Sequence, residues 1–165
     1  VNIIDDILDY SRMETGKLHL EQRDFQLSEV VEESVDLLSR QAAVKGLELA
    51  CFIGPEAPDS LRRDAPRLRQ VLVNLVKNAL QAGATKIKVT AEIDFAETIK
   101  IAVSNNGRPI SAESQEEIFV PFYTTKQEGT GIGLSLSRQI MRLHNGTLTL
   151  ARSDQRMTTF LLHFK

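Results

Sequence analysis

Tryptophan is absent from the 165-residue sequence, and cysteine occurs once, at Cys51. A single cysteine forms neither an internal disulfide nor a cysteine-based zinc site, so a reducing compartment is the default expectation. No apolar run approaches the roughly 20 residues that span a bilayer. Neither sign of charge dominates, because 20 Lys and Arg residues stand against 22 Asp and Glu residues. This balance excludes the strongly basic footprint of a nucleic-acid-binding domain, and we predict no nucleic-acid partner.

The composition is that of an ordinary globular domain, with 42% hydrophobic and 25% charged residues. The sequence opens, without a helix start signal, on Ile3, Ile4, Ile7 and Leu8 at helical spacing, and Gly16 is expected to end this helix. We interpret the segment as the end of a longer helix. Its apolar stripe needs another chain or a preceding segment as partner, which predicts a homodimer in the intact protein.

Beyond this helix the hydrophobic periodicity alternates between helices and strands. Ser28 is a plausible N-cap for a helix whose inner face includes Leu37, and residues 47–53 indicate a buried strand with Cys51 as a small core residue. The other predicted elements are strands over 24–26, 87–93 and 99–103, helices over 64–82, 112–118 and 134–144, and a hairpin of strands over 147–150 and 158–164. This order predicts an α+β two-layer sandwich, with a mixed, mostly antiparallel sheet and helices on one face.

A strip of uncharged amides follows the helix predicted over 64–82. Gln70, Asn74, Asn78 and Gln81 recur at spacings of four, four and three residues and therefore share one face. Asn disfavours a helix interior by up to about 0.7 kcal/mol relative to Ala, so two of them suggest a bound ligand. An amide oxygen is a hard neutral ligand suited to Mg²⁺, which keeps waters and relies on substrate phosphates. The alternative is a solvated polar face without a role.

Two glycine-containing segments follow. Asn105 to Gly107 ends a predicted strand, where irregular backbone can present groups to a ligand, although Asn-Gly is also an ordinary turn. Residues 129–134 place three glycines at alternate positions before a helix, where backbone N–H groups and the helix N-terminus favour an anion. The spacing matches neither the dinucleotide fingerprint nor a Walker A loop. A flexible loop is the alternative interpretation.

A fourth segment, residues 118–126, combines aromatic and basic side chains. Phe119 and Phe122 can anchor the root of a mobile loop, and Lys126 can meet a phosphate. The alternative is a loop whose aromatic side chains simply pack in the core.

Together and in this order, the four segments resemble the ATP-binding domain of sensor histidine kinases, within the Bergerat-fold (GHKL) ATPases. Residues 67–79 look like the N-box of this family, and residues 105–107 look like its first glycine box. Residues 119–126 look like its F-box, and residues 129–134 look like its second glycine box. Residues 6–18 are similar to the end of the second helix of the dimerisation and phosphotransfer domain. The resemblance thus implies a helix end and linker over residues 1–20 and an ATP-binding catalytic domain over residues 21–165.

The resemblance implies ATP and Mg²⁺ as ligands, with roles for individual residues. Asn78 would bind Mg²⁺ beside Asn74, Asn105 would accept a hydrogen bond from the adenine amino group, and Lys126 would lie near phosphate. The predicted nucleotide-binding residues are Asn74, Asn78, Gln81, Asn105, Gly107, Lys126, Gly129, Thr130, Gly131, Gly133 and Leu134.

Three of these positions or their neighbours depart from the family pattern. Asn105 replaces the usual Asp and keeps a carbonyl acceptor without the charge. Pro109 replaces a glycine and stiffens the turn, and Gln81 stands where a basic residue often reaches phosphate.

The implied reaction is transfer of the γ-phosphoryl group of ATP to a His on phosphotransfer helices of the same protein or its dimer mate, and then to a response regulator Asp. The resemblance implies a cytoplasmic location in a bacterial parent protein of a type often anchored in the inner membrane. We expect the phosphoacceptor segment to precede Val1. His19, His144 and His163 fit structural or solvent roles instead, so the 165 residues alone are expected not to phosphorylate themselves.

Two alternatives remain at this point. Residues 78–87 also look like the mismatch-repair version of the motif, among hydrolytic mismatch-repair, gyrase and chaperone ATPases. Those enzymes carry a Glu as general base where this chain has Asn74, and loss of a general base costs roughly 10²–10⁴-fold in rate. The other alternative, a degenerate nucleotide-binding or docking module, is supported by Gln81, Asn105 and Pro109.

Overall fold

The computed structural model describes residues 3–127 and 129–165. In chain order the elements are α1 (Ile3–Glu14), β1 (Arg23–Phe25), α2 (Leu27–Val44), β2 (Glu48–Ile53), β3 (Leu61–Arg63), α3 (Ala65–Gln81), β4 (Lys86–Ile93), β5 (Ile99–Asn105), α4 (Ala112–Gln115), α5 (Gly133–Leu143), β6 (Thr147–Ser153) and β7 (Thr158–Phe164). Within this part of the chain, no helix is long and apolar enough to cross a membrane.

The main sheet has five strands in the order β2-β4-β5-β7-β6. Only the β2–β4 pair is parallel, and the other three pairs are antiparallel. Alternate residues of β4, β5 and β7 are buried, and α2, α3 and α5 pack against the sheet and against one another. The predicted α+β sandwich with a mixed, mostly antiparallel sheet is therefore confirmed. A small second sheet pairs β1 with β3, a strand that the sequence patterns did not predict.

Three local predictions are wrong for identifiable reasons. Helix α2 begins at Leu27, so Gln26 is the N-cap residue, and Ser28 already lies inside the helix. Leu37 is 61% exposed because the buried face of α2 follows Val35 and Leu38 instead. Cys51 is exposed because β2 is an edge strand that pairs with β4 alone, and an edge position does not enclose the side chain.

Helix α3 begins at a strong N-cap that also fixes the preceding linker. The buried Asp64 side chain accepts a hydrogen bond from the Arg67 backbone N–H at 3.0 Å. Its other carboxylate oxygen accepts from the Glu21 backbone N–H at 2.8 Å. A capping carboxylate of this kind stabilises a helix by about 1 kcal/mol. Asp64 therefore joins the start of α3, the helix that carries the amide strip, to the linker at Glu21.

Helix α1 docks on the domain through polar and aromatic contacts. The buried Asp9 carboxylate accepts hydrogen bonds from the Arg67 guanidinium at 2.6 Å and the Gln70 amide at 3.0 Å. Burial raises the pKa of Asp9, but the hydrogen bonds from Arg67 and Gln70 and the nearby positive charges outweigh it, so the pKa lies below its usual value. The Tyr10 ring packs edge-on against the Phe122 ring, with 5.2 Å between the ring centroids. The predicted apolar stripe remains half or more exposed at Ile3, Ile7 and Leu8.

Candidate nucleotide-binding site

The amide strip of α3 divides among three different partners. Gln70 binds Asp9 of α1, as described above. Asn74 is buried at 7% exposure and donates from Nδ2 to Ser137 Oγ of α5 at 3.2 Å. Asn78 and Gln81 both face the side chain of Lys126. The structure therefore leaves Asn78 and Gln81 as the amides that a cation contacts, and it directs Gln70 to the linker helix.

Lys126 joins the segment of residues 118–126 to α3. Its ammonium donates to Asn78 Oδ1 at 3.0 Å and to Gln81 Oε1 at 2.6 Å. Burial lowers the pKa of Lys126, and the positive charge of Lys77 lowers it further. Three residues predicted from two separate segments are thus brought together, and the oxygens of both amides accept hydrogen bonds from one ammonium group.

This arrangement bears on where a metal ion would bind. No group of three or more His, Cys, Asp or Glu side chains suited to a metal occurs in the described residues. A divalent ion at Asn78 would therefore rely on neutral amide oxygens, on water and on the phosphates of a nucleotide; Mg²⁺ commonly keeps several waters and binds substrate phosphates. Asn78 and Gln81 already direct their oxygens at the Lys126 ammonium. The donor set fits a hard cation that arrives with phosphate ligands.

Asn105 is the predicted site residue that lies on the main sheet. It is the last residue of β5, and strand alternation directs it to the same buried face as Ile101 and Val103, at 6% exposure. Its Oδ1 accepts a hydrogen bond from the Gly107 backbone N–H at 2.9 Å. A carbonyl oxygen has two lone pairs, so this bond leaves room for a second donor such as an adenine amino group.

The turn after β5 is fastened to the end of α3. Arg108 N–H donates to the Ala82 carbonyl at 2.9 Å, and a Cβ on Gly107 would lie 2.8 Å from the same oxygen. Asn106 Oδ1 accepts from the backbone N–H groups of Thr85 and Lys86, each at 2.9 Å. The sequence pattern indicated Asn106 only as part of an Asn-Gly turn, yet its side chain joins the turn after β5 to the residues that follow α3.

Two glycines of the second glycine box lie so close to residues 122–124 that a Cβ would collide with them. Gly131 has φ +71°, and a Cβ there would lie 2.5 Å from the Phe122 carbonyl carbon. The Gly131 carbonyl accepts a hydrogen bond from the Phe122 backbone N–H at 3.0 Å. A Cβ on Gly129 would lie 2.6 Å from Thr124 Oγ1. The glycines therefore hold this segment, which we call the lid (residues 126–127 and 129–133), against the root formed by residues 119–125.

The lid leads directly into the N-terminus of α5. The N-cap residue Ile132 makes no side-chain cap hydrogen bond, so the first backbone N–H groups of α5 depend on other partners. Thr130 Oγ1 accepts weakly from the Ile132 N–H at 3.4 Å, and Leu134 packs on the core. A Cβ on Gly133 would lie 3.9 Å from the Asn74 amide. An uncapped helix N-terminus beside the amide helix is suited to a phosphate group.

The aromatic residues at the lid root have different roles. Phe119 packs edge-on against Phe160, with 6.4 Å between the ring centroids. The Arg138 guanidinium carbon lies over the Phe119 ring, 4.4 Å from its centroid. Phe122 is 62% exposed and contacts Tyr10 of α1, with its backbone in the left-handed region at φ +67°. Phe119 therefore anchors in the core, whereas Phe122 connects the lid root to the linker helix. Tyr10 carried no sequence signal for this contact.

The first glycine box, the F-box and the second glycine box thus lie against α3 or its C-cap residue, while a separate groove is lined in part by other residues of the N-box. A groove of about 580 Å³ is lined by residues of α1, α2 and α3, including Leu8 and Gln70, and by none of the predicted nucleotide-binding residues. We therefore place the candidate site at Asn78, Asn105, Lys126 and the lid rather than in this groove.

Comparisons with known proteins identify the family of the chain. Residues 63–165 match the family described as histidine kinase-, DNA gyrase B- and HSP90-like ATPases. The sensor histidine kinase ZraS of Escherichia coli strain K12 is 36% identical over 146 residues, covering 87% of this chain and 31% of ZraS. The chain spans between 8% and 31% of the length of the curated relatives it matches.

Solved structures give the same result. The catalytic domain of histidine kinase ThkA, in a nucleotide-free form, is 33% identical with a TM-score of 0.77, and the match covers 87% of this chain and 95% of that one. ThkA in complex with the response regulator TrrA matches at 28% identity and a TM-score of 0.77, covering 98% of this chain and 47% of that one. The chain therefore belongs to the histidine kinase-, DNA gyrase B- and HSP90-like ATPase family, as an ATP-binding catalytic domain of the sensor histidine kinase type.

Proposed function

We propose that this chain binds Mg²⁺–ATP between α3 and the lid and, in the whole protein, supplies the γ-phosphoryl group to a His on a phosphotransfer helix. The contacts of the two glycine boxes and the F-box with α3 or its C-cap residue carry the proposal. Phosphoryl transfer depends mainly on positioning and on neutralisation of phosphate charge, and the site offers groups for both. The nucleophilic His is expected from outside the 165 residues.

Each group in the site has a distinct part in this proposal. Asn105 would receive the adenine amino group, and the α5 N-terminus and Lys126 would face the phosphates. Asn78 would hold Mg²⁺, which when bound neutralises phosphate charge and orients the phosphate chain. The remaining predicted residues, Asn74, Gln81, Gly107, Gly129, Thr130, Gly131, Gly133 and Leu134, would shape the cleft around these contacts.

A hydrolytic ATPase is not favoured by the residue at position 74. Activation of water needs a group that takes a proton, and a carboxamide does not do so. The Asn74 amide is also buried and engaged with Ser137. The site therefore positions a nucleotide without a general base from α3.

The partners of the whole protein form part of the same proposal. The solved complex of ThkA with TrrA supports a response regulator as the next phosphoryl acceptor. We propose that residues 1–20 belong to the dimerisation and phosphotransfer region and residues 21–165 to the catalytic domain, and that the parent is a homodimer with this domain in the cytoplasm. The exposed stripe at Ile3, Ile7 and Leu8 supports the dimer.

Nucleotide binding is tested by calorimetric titration and thermal unfolding with a non-hydrolysable ATP analogue, with and without Mg²⁺. Bound ligand stabilises a protein by RT ln(1 + [L]/Kd), or about 2.7 kcal/mol at a hundredfold excess over Kd. We expect heat of binding and a raised Tm with Mg²⁺–analogue, and a much smaller effect with adenosine as the matched control. Neither heat nor a Tm shift at millimolar analogue would instead support a docking module.

Phosphorylation of the chain itself is a separate expectation. His19 is exposed in the linker, His144 is buried and bonds the Ile140 carbonyl at the end of α5, and His163 lies in β7. None of them is placed near the lid by a described contact. We expect no acid-labile label on the 165-residue chain after incubation with γ-labelled ATP, and acid-labile label on the chain would contradict this expectation.

A further inference from the structure

One ammonium group bridges two carboxamide oxygens in the candidate site. Lys126 Nζ lies 3.0 Å from Asn78 Oδ1 and 2.6 Å from Gln81 Oε1, one helical turn apart on α3. No ion pair joins Lys126 to a carboxylate within residues 3–127 and 129–165. The positive charge is therefore held by neutral oxygens, which another cation can also use.

The backbone of Lys126 is tied into the lid. Its N–H donates to Thr124 Oγ1 at 3.0 Å, and its carbonyl accepts from the Gly129 N–H at 3.4 Å. A Cβ on Gly129 would lie 2.6 Å from Thr124 Oγ1, the oxygen that accepts the Lys126 N–H, and would disturb this bond. The position of the ammonium is consequently set by the same short turn that begins the lid.

We propose that Lys126 is a tethered cation that occupies the Asn78–Gln81 oxygens in the nucleotide-free protein, that a Mg²⁺–nucleotide displaces it, and that Gln81 is the residue that holds it there. The proposal rests on the proposed function for its second part, because it assigns Mg²⁺ to Asn78. The proposal gives the uncharged Gln81 side chain a defined role. Gln81 binds the Lys126 ammonium while no metal ion occupies the site.

This competition predicts how Mg²⁺ and Lys126 depend on each other. Without Mg²⁺ the ammonium stays on α3 and still supplies positive charge beside a nucleotide. With Mg²⁺ the ion has to replace the ammonium on Asn78 before it contributes. Removal of the ammonium should therefore weaken metal-free nucleotide binding and increase the gain in affinity that Mg²⁺ provides.

The first experiment uses no nucleotide. Proton exchange of lysine ammonium groups with water is measured by heteronuclear NMR, with the Lys126 signal assigned from its loss in Lys126→Arg. We expect exchange at Lys126 to be about threefold or more slower than at the exposed Lys88, and Gln81→Leu to reduce this protection, because only the 3.0 Å bond to Asn78 then remains. Gln70→Leu, on the same helix but bound to Asp9, is the matched control and should leave the protection intact. Equal exchange at Lys126 and Lys88 in the unsubstituted protein would overturn the tether.

The second experiment measures the ratio of analogue Kd values without and with Mg²⁺. We expect Lys126→Met to increase this ratio about threefold or more, whereas Lys77→Met, which removes a neighbouring charge that contacts neither Asn78 nor Gln81, should not. An unchanged or smaller ratio in Lys126→Met would overturn the competition. Absence of analogue binding in the unsubstituted protein would contradict the proposed function, while the exchange measurement would still decide the tether.

Discussion

Replacement of Gly131 by Ala should weaken binding of the ATP analogue about tenfold or more, a loss of roughly 1.4 kcal/mol or above. A left-handed backbone costs a non-glycine residue about 1–2 kcal/mol. At Gly131, with φ +71°, the added Cβ would also lie 2.5 Å from the Phe122 carbonyl carbon and 2.6 Å from the Tyr123 carbonyl oxygen. The lid must therefore move away from its root, and the N-terminus of α5 loses its approach to the phosphates. Titration calorimetry measures the affinity.

Gly83 supplies the control for this substitution. It has a similar φ of +73°, but a Cβ there would meet nothing within 4 Å. Gly83→Ala should lower the free energy of unfolding by about 1–2 kcal/mol without affecting analogue affinity. Gly131→Ala should lose affinity in addition, because it combines the same backbone strain with a steric conflict. Unchanged affinity in Gly131→Ala would show that the close packing of lid on root is not needed for nucleotide binding.

The fold was predictable where periodicity is unambiguous. Helix α3 shows an apolar stripe, an Asp64 cap and Pro66 in the first turn, and its structural bounds differ by one residue at each end from the predicted ones. Strands β4 and β5 alternate cleanly because one face is buried under the helices. The prediction that Cys51 is buried in β2 was wrong because an apolar run does not reveal whether a strand lies at the centre or the edge of a sheet. The place of β2 beside β4 alone is a property of the tertiary fold.

The sequence analysis singled out residues for a candidate site, but it did not indicate how their side chains pair. Helical spacing placed Gln70 and Asn78 on one face, yet Gln70 turns to Asp9 while Asn78 meets Lys126. These choices depend on where α1 and the lid pack, which are contacts between residues 48 to 61 positions apart in the chain. Strand alternation accounts for the inward direction of Asn105, because Ile101 and Val103 show which face of β5 is buried, but the predicted strand ended at residue 103 and did not include it.

Asn78→Ala is expected to abolish the Mg²⁺-dependent part of analogue binding. A hydrogen bond or ligand contact to a charged group contributes about 1.5–3 kcal/mol, so the affinity with Mg²⁺ should fall about tenfold or more. The affinity without Mg²⁺ should change little, because Lys126 keeps its bond to Gln81. The fold should persist, since Ala favours a helix over Asn by up to about 0.7 kcal/mol and Asn78 is only half-buried. Calorimetric titration at several Mg²⁺ concentrations measures both affinities.

Gln70→Ala distinguishes a metal ligand from a general effect of the amide strip. Gln70 lies on the same helix, but its amide binds Asp9 of α1, so its removal should loosen α1 and leave the Mg²⁺ dependence of binding unchanged. If Asn78→Ala and Gln70→Ala lowered affinity equally at all Mg²⁺ concentrations, the amides would act through helix stability and Asn78 would not be the ligand. A loss of analogue affinity that occurs only in Asn78→Ala, and only with Mg²⁺ present, would identify Asn78 Oδ1 as the oxygen that contacts the ion. Both variants retain every other group of the site.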